Sequence, residues 1–311
     1  MGYIVLDRFG RPVKSMRVSV TERCNLRCFY CHREGELYNH RNEMTPEEIE
    51  RILKIARNLG IRKVKFTGGE PLMRDDIVEI ISRAAPLMDR DVSLTTNGTM
   101  LKKYASSLKN AGLMRVNISL DTLNKEKYRR ITGFNHLQDV IDGISEAVDY
   151  FHPVKLNFVL LKGINDDEIE DMIRFSAETG TILQIIELEV SVEKENLDFF
   201  RKYHLSPKFI EEHLEKIADN VEYNELHRRR KYIFNIDGKR AEVEIVRPMH
   251  NSEFCRYCTR IRLTSDGKLK PCLFRNDNLV DILTPLHNGA SDAELLKLFK
   301  EAILRREPYW K

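Results

Sequence analysis

No apolar run in this chain approaches the length of a membrane-spanning helix, and the amino terminus has no charged region followed by an apolar stretch. Neither a membrane span nor a secretion signal is therefore expected, and the chain reads as cytoplasmic. Net charge is scarce too: 51 basic against 48 acidic residues leave +3, too little for a global field that would draw the protein to nucleic acid or a membrane. Any anion site must be local. Low-complexity tracts and a repeat period are absent, and the 15 glycines and 10 prolines are scattered as turn punctuation. Cysteine is limited to six. What remains is an ordinary globular composition over 311 residues, enough for a barrel-sized domain with an appendage or for two domains.

From Met16 to Leu188 short β-branched runs alternate with longer amphipathic segments, the pattern of a parallel sheet with crossover helices. Strands are expected at 16–20, 63–67, 92–96, 114–120, 154–160 and 182–188. Thr45-Pro46-Glu47-Glu48 reads as a capping box with proline at the first helical position, leading into Ile49, Ile52, Leu53, Ala56 and Leu59. Six such units make an incomplete barrel or an open doubly wound sheet. Side chains alternate faces along a strand, and here one face is polar throughout. It presents Arg17 and Ser19, then Lys63, Lys65 and Thr67, then Ser93, Thr95 and Asn97, then Arg115, Asn117, Ser119 and Asp121, then Lys155 and Asn157. Open parallel sheets are covered on both sides by apolar helices, so a wide barrel lumen holding a polar ligand fits better. Its lysines and arginines make that ligand an anion.

Residues 190–206 are charged and lack periodicity, which puts a boundary there: a partial barrel over 1–205 and a smaller α+β domain over 206–311 that closes it. In the second part, Ser206-Pro207 starts a helix, 231–236 and 241–247 flank an Asp237-Gly238 turn, 260–264 and 268–271 flank Asp266-Gly267, and a last helix covers 292–305.

All six cysteines fall into two triads, Cys24, Cys28 and Cys31, then Cys255, Cys258 and Cys272. Disulfides do not suit a cytoplasmic chain, and a structural zinc site wants a fourth ligand, for which only His32 and His250 are near in sequence. Three thiolates suit a [4Fe-4S] cluster with one iron left open to a ligand. A zinc-bound interaction module and a non-catalytic iron-sulfur carrier remain as other readings, although neither needs a cationic lumen.

The first triad follows the first strand as Cys24-Asn25-Leu26-Arg27-Cys28-Phe29-Tyr30-Cys31, with an aromatic residue before its last cysteine. This resembles the signature of the radical S-adenosylmethionine (SAM) superfamily. The resemblance implies that the open iron chelates SAM and that electron transfer cleaves SAM to a 5′-deoxyadenosyl radical, the hard chemistry belonging to the cofactor. By the same resemblance Gly69, in Gly68-Gly69-Glu70-Pro71, lies at the SAM amino group, Tyr30 borders the adenine, and Ser119 meets the SAM carboxylate or ribose. Without the cysteines, Gly68-Gly69 would read as a tight turn whose missing side chains let backbone approach a ligand.

The second triad, in Phe254-Cys255-Arg256-Tyr257-Cys258-Thr259-Arg260-Ile261-Arg262-Leu263 and Cys272-Leu273-Phe274, is similar in order and spacing to the GTP 3′,8-cyclase family of molybdenum cofactor biosynthesis. Phe66 to Arg74 and Lys162-Gly163-Ile164-Asn165-Asp166 match that family as well, so the resemblance covers about residues 14–280. It implies a (βα)6 radical SAM barrel, two [4Fe-4S] clusters, and GTP contacts from Arg17, Lys65, Thr95, Lys155, Arg260 and Arg262. It further implies abstraction of the ribose 3′ hydrogen, attack of the C3′ radical on guanine C8, and reduction and protonation of the resulting aminyl radical to 3′,8-cyclo-7,8-dihydroGTP. No catalytic side chain is implied beyond cluster and SAM. The partners implied are an external electron donor and, downstream, cyclic pyranopterin monophosphate synthase. Another two-cluster radical SAM maturase is the alternative within this class. Two departures stand out: Gln184 and Glu189 replace an arginine and a SAM-contacting methionine of the family pattern, and the chain closes on Pro308-Tyr309-Trp310-Lys311 where many relatives have Gly-Gly.

Overall fold

Alternation along six β-branched runs makes one face of each strand apolar, and in the computed structural model those faces are the ones the helices cover. The structure describes residues 5–36, 43–224 and 229–310. The barrel strands are β1 (Ser15–Ser19), β2 (Lys63–Thr67), β3 (Asp91–Thr96), β4 (Arg115–Ser119), β5 (Val154–Leu160) and β6 (Ile182–Glu187), within a residue or two of the expected bounds. Neighbouring strands pair in parallel and in chain order. Between them run the helices α1 (Pro46–Asn58), α2 (Ile77–Ala84), α3 (Leu101–Asn110), α4 (Lys125–Thr132), α5 (Leu137–Tyr150) and α6 (Ile169–Thr179). Met16, Val18, Val64, Phe66, Leu94, Ile118, Leu156 and Phe158 point outward into one continuous core with Ile49, Ile52, Leu53 and Ala56 of α1. The capping box forms as read: Thr45 accepts from the Glu48 N–H, and the Glu48 carboxylate accepts from the Thr45 N–H.

After β6 come α7 (Asp198–Tyr203), α8 (Lys208–Ile217), and the strands β7 (Asn220–Asn224), β8 (Arg229–Ile236) and β9 (Lys239–Val246), the last two turning at Asp237-Gly238. Then follow α9 (Ser252–Arg256), β10 (Arg260–Leu263), β11 (Lys268–Lys270), β12 (Val280–Asp281), α10 (Leu283–His287) and α11 (Asp292–Leu304). This C-terminal part does more than lie against the barrel, because it lengthens the sheet at both ends. The order is β12-β11-β10-β1-β2-β3-β4-β5-β6-β9-β8-β7, with β10 parallel to β1 and β9 parallel to β6. The segment at 190–206, where the boundary is expected, contains α7, whose Phe199 and Tyr203 pack on Phe29 between the first-triad cysteines. Among the described residues no helix is long and apolar enough to cross a membrane.

Candidate functional site

The cavity inside this sheet, about 910 Å³, is lined by all six cysteines. It lies at the upper end of small-molecule sites in size. The polar strand face lines it as expected, from Arg17 and Lys65 through Thr95 and Ser119 to Lys155. Ser19 is an exception, buried and bonded to Glu36 instead.

The first triad sits on the loop leaving β1, and that loop is held from three sides. From β2, the N–H groups of Gly69 and Glu70 donate to the carbonyls of Thr21 and Arg23, each at 2.7 Å. From β3, Asn97 donates to the Asn25 side chain at 2.7 Å and approaches the Cys24 sulfur at 3.9 Å. From α4, the carbonyls of Thr132 and Ile131 accept from the N–H groups of Arg27 and Phe29. The two glycines owe their identity to this packing. A Cβ on Gly68 would overlap the Thr21 carbonyl and one on Gly69 those of Glu22 and Arg23, so the close approach they permit is first of all to the cysteine loop. Glu70 turns away from the cavity: fully buried, it accepts from the Leu72 and Asn97 N–H groups and the Thr96 hydroxyl, and burial lifts its carboxyl to about 7. Tyr30 lines the cavity and donates to Asp121 at 2.5 Å.

The second triad is built from three elements. Cys255 rides on α9, which Asn251 caps by accepting from the Phe254 N–H; Cys258 precedes β10; Cys272 follows β11. Both ends of the described chain brace it. Arg11 donates to the Cys255 carbonyl at 2.9 Å and Arg306 to the Cys258 carbonyl at 2.5 Å, while Asp7 binds both guanidinium groups at 2.8 and 3.1 Å. The backbone N–H of Trp310 donates to the Cys255 sulfur at 3.4 Å, and Tyr309 and Trp310 line the cavity against Phe274. Lys311 lies outside the described residues.

Register fixes how the triads face each other. Because β10 is parallel to β1, with Ser15 beside Arg260 and Arg17 beside Arg262, the first triad follows the carboxyl end of this strand pair and Cys258 precedes its amino end. The two triads are thus about one five-residue strand apart, roughly 16 Å. Arg17, Arg260 and Arg262 stand between them. Burial lowers the Arg17 and Arg260 guanidinium groups to about 10, helped by Arg260 and Arg262 for the first and by Arg229 and Arg262 for the second, and burial with Arg17 and Arg115 nearby depresses Lys65, whose ammonium donates to Asn117 at 2.8 Å. Arg262 is buried with its Nε lacking a hydrogen-bond partner. Such a cluster asks for an anion.

Lys155 differs from the other cations, since both Glu244 carboxylate oxygens accept from it at 2.7 Å. Gln184 donates to the same carboxylate at 2.9 Å, so one of the two family departures is part of this cluster. Burial would raise the Glu244 carboxyl, but Lys155, Arg229 and Gln184 hold it below its usual range; Lys155 is lowered too, because its burial outweighs that single carboxylate. Glu189, the second departure, turns into the lumen, where His32 lies 3.5 Å away. Glu34, in a left-handed backbone conformation, also enters the lumen, accepting from Thr67 at 2.8 Å and facing Arg17, His32 and Arg262. Sequence reading missed Glu34, Glu244 and Arg229. Nothing local marks Glu34 or Glu244, and Arg229 lies in the run Arg228-Arg229-Arg230-Lys231, where sequence cannot tell which member faces inward.

The donor chemistry fits iron-sulfur clusters. All six thiols are free, and N–H groups of Leu26, Arg33, and Trp310 point at cysteine sulfurs at 3.4 Å, as thiolates bound to a cluster accept them. Among the described residues no three His, Cys, Asp or Glu side chains converge on a single metal-ion position. A cubane asks for no such convergence, because its thiolates bind separate irons. His32 and His250, the fourth ligands a zinc site would need, are engaged by Glu189 and Glu195.

Comparison with known proteins agrees. Residues 18–176 match the model of the Radical SAM superfamily and 181–311 that of Molybdenum Cofactor Synthesis C. The chain is 59% identical over 307 residues to a probable GTP 3′,8-cyclase of Pyrococcus horikoshii, covering 99% of this chain and 98% of that one. A probable GTP 3′,8-cyclase of Thermococcus kodakarensis is 56% identical, with 99% and 100% covered. Among solved structures, Streptococcus suis SuiB bound to the precursor peptide SuiA aligns at TM-score 0.64 with 17% identity, covering 87% of this chain and 60% of that one. AnSMEcpe with bound AdoMet aligns at TM-score 0.59 with 18% identity, covering 85% and 76%. At such identities the structural likeness speaks for the fold alone. The curated relatives speak for more, and on their full-length similarity this chain belongs to the radical SAM superfamily and, within it, to the family of the GTP 3′,8-cyclases.

Proposed function

We propose that this chain is a GTP 3′,8-cyclase that converts GTP to 3′,8-cyclo-7,8-dihydroGTP, the first step of molybdenum cofactor biosynthesis. One observation carries the reading: Arg17, Arg260 and Arg262, which form no ion pair among the described residues, line the cavity on the one strand pair that runs from the second three-cysteine triad to the first. In this reading a partial barrel over 1–205 works with a C-terminal domain over 206–311. Cys24, Cys28 and Cys31 hold one [4Fe-4S] cluster, and Cys255, Cys258 and Cys272 hold another. When bound, the first cluster and SAM supply a hydrogen-abstracting radical. Gly69 has its N–H engaged by Thr21, so its carbonyl is the group it offers to the SAM amine. Tyr30, fixed by Asp121, flanks the adenine, and Ser119 meets the SAM carboxylate or ribose. Arg17, Lys65, Thr95, Lys155, Arg260 and Arg262 hold GTP so that its ribose faces the first triad and its purine the second. Two cation-bearing strands from opposite parts of the chain would thereby orient one substrate. An external electron donor is required, the product is passed to cyclic pyranopterin monophosphate synthase, and the thiol chemistry calls for a reducing compartment such as the cytoplasm.

Anaerobic incubation of the reconstituted protein with SAM, dithionite and GTP tests this. Mass spectrometry is expected to find 5′-deoxyadenosine together with a GTP isomer. Cleavage of SAM without GTP conversion refutes the substrate assignment.

A further inference from the structure

A cation that the sequence does not single out stands in the lumen with no carboxylate in ion-pair contact among the described residues. Arg229 opens β8, lines the cavity, and lies with its guanidinium 5.8 Å from the centre of the Phe254 ring. Arg260 stacks on the same ring at 5.9 Å, so two guanidinium groups share one aromatic face or its opposite. Burial lowers Arg229 below the usual guanidinium range, with Arg17 adding to the effect. Glu244 is near enough to act on Arg229 through space, but its hydrogen bonds go to Lys155 and Gln184. Among the described residues no carboxylate forms an ion pair with Arg229.

Lumen cations therefore fall into two kinds. Lys155 has a carboxylate in ion-pair contact, whereas among the described residues Arg229 and Arg260 have none, and Glu244 and Glu189 act on Arg229, and Glu189 on Arg260, only through space. Two half-buried guanidinium groups on one ring, with carboxylates acting on them only through space, gain from an anion held between or beside them. We infer that Arg229 is a binding residue for the polyphosphate of the substrate, forming with Arg260 a clamp on Phe254. The terminal phosphates then lie toward the β8–β9 hairpin. Guanidinium groups suit this task because their donors match phosphate oxygens in pairs. The inference rests on the proposed nucleotide substrate only for the identity of the base, since the clamp itself recognises phosphate.

Equilibrium titration of the reconstituted holoenzyme with GTP, GMP, guanosine and inorganic tripolyphosphate tests it without recourse to turnover. Arg229→Ala is expected to weaken GTP and tripolyphosphate binding about ten- to a hundredfold, as expected for losing a charge-assisted contact. GMP should lose less and guanosine nothing, and Arg229→Lys should recover part of the loss. A purely structural role would weaken guanosine and GTP alike. That result, or unchanged tripolyphosphate affinity in Arg229→Ala, overturns the clamp. Should Arg229→Ala fail to fold, Arg229→Gln, which keeps the stem over Phe254, carries the same comparison. Wild-type protein that binds tripolyphosphate but prefers no guanine nucleotide would sink the substrate reading and leave the clamp standing.

Discussion

Replacing Glu244 by glutamine should weaken the protein and tighten its hold on substrate. The carboxylate of Glu244 accepts from Lys155 through both oxygens at 2.7 Å, with side-chain exposures of 8% for Glu244 and 15% for Lys155. Removing one member of a buried pair costs about 3–5 kcal/mol, and water in an open lumen lowers that to roughly 2–4 kcal/mol. In a chain this size each kcal/mol moves the melting temperature by about 2 °C, so a fall of about 4–8 °C is expected in calorimetry without ligand. The freed ammonium then becomes available to phosphate, and GTP should bind about tenfold tighter. Saturating GTP should therefore shrink the difference in melting temperature between the two proteins. Acid provides a second check. Lys155, Arg229 and Gln184 overcome burial and hold the Glu244 carboxyl below its ordinary 4.5, so its stabilisation is complete above about that pH and is lost as pH falls through the depressed value. Wild type and Glu244→Gln should converge in stability there. An unchanged melting temperature, or weaker GTP binding in the variant, refutes the reasoning.

Replacing Cys24, Cys28 and Cys31 by alanine should reduce bound iron from about eight to about four atoms per chain and abolish SAM cleavage; anaerobic protein that takes up stoichiometric zinc and no iron contradicts the assignment. Gly69→Ala places a methyl group against the Glu22 and Arg23 carbonyls and should cost the first cluster selectively, leaving about four irons and a folded protein in circular dichroism. Retention of all the iron and of SAM affinity would show the loop to be more yielding than its packing suggests. Arg306→Met leaves the Cys258 carbonyl without its donor and Asp7 with one cation instead of two, a loss of about 2–4 kcal/mol. The second cluster's absorbance should then be the first to disappear on heating.

What could be read from sequence was local. Strand β5 was bounded to the residue because Val154 to Leu160 alternates cleanly between a buried and a half-buried face, and the Thr45 capping box because its partners are three residues apart. The lumen was legible because a polar face on a helix-covered strand has nowhere else to point. Two triads in one cavity also followed from spacing and resemblance. The missing parts depend on residues far apart in the chain. Glu244 meets Lys155 across the β6–β9 pairing, which no local pattern announces. Gly68 and Gly69 were read as making room for a ligand, whereas the first neighbour they admit is the loop carrying Cys24. Charge at 190–206 marks a boundary but hides the packing role of Phe199, Phe200 and Tyr203, of which Phe200 is buried.

The placement of β10 beside β1 and of β9 beside β6 also bears on how the chain is born. A nascent chain that has released only the six barrel strands presents two bare sheet margins, and the partners of both, β9 and β10, are made only later, from Lys239 onward. Contacts of such long sequence separation form slowly. Unpaired margins meanwhile invite strands from other molecules. Truncations that stop before Lys239 should therefore accumulate as aggregates and not as a working half.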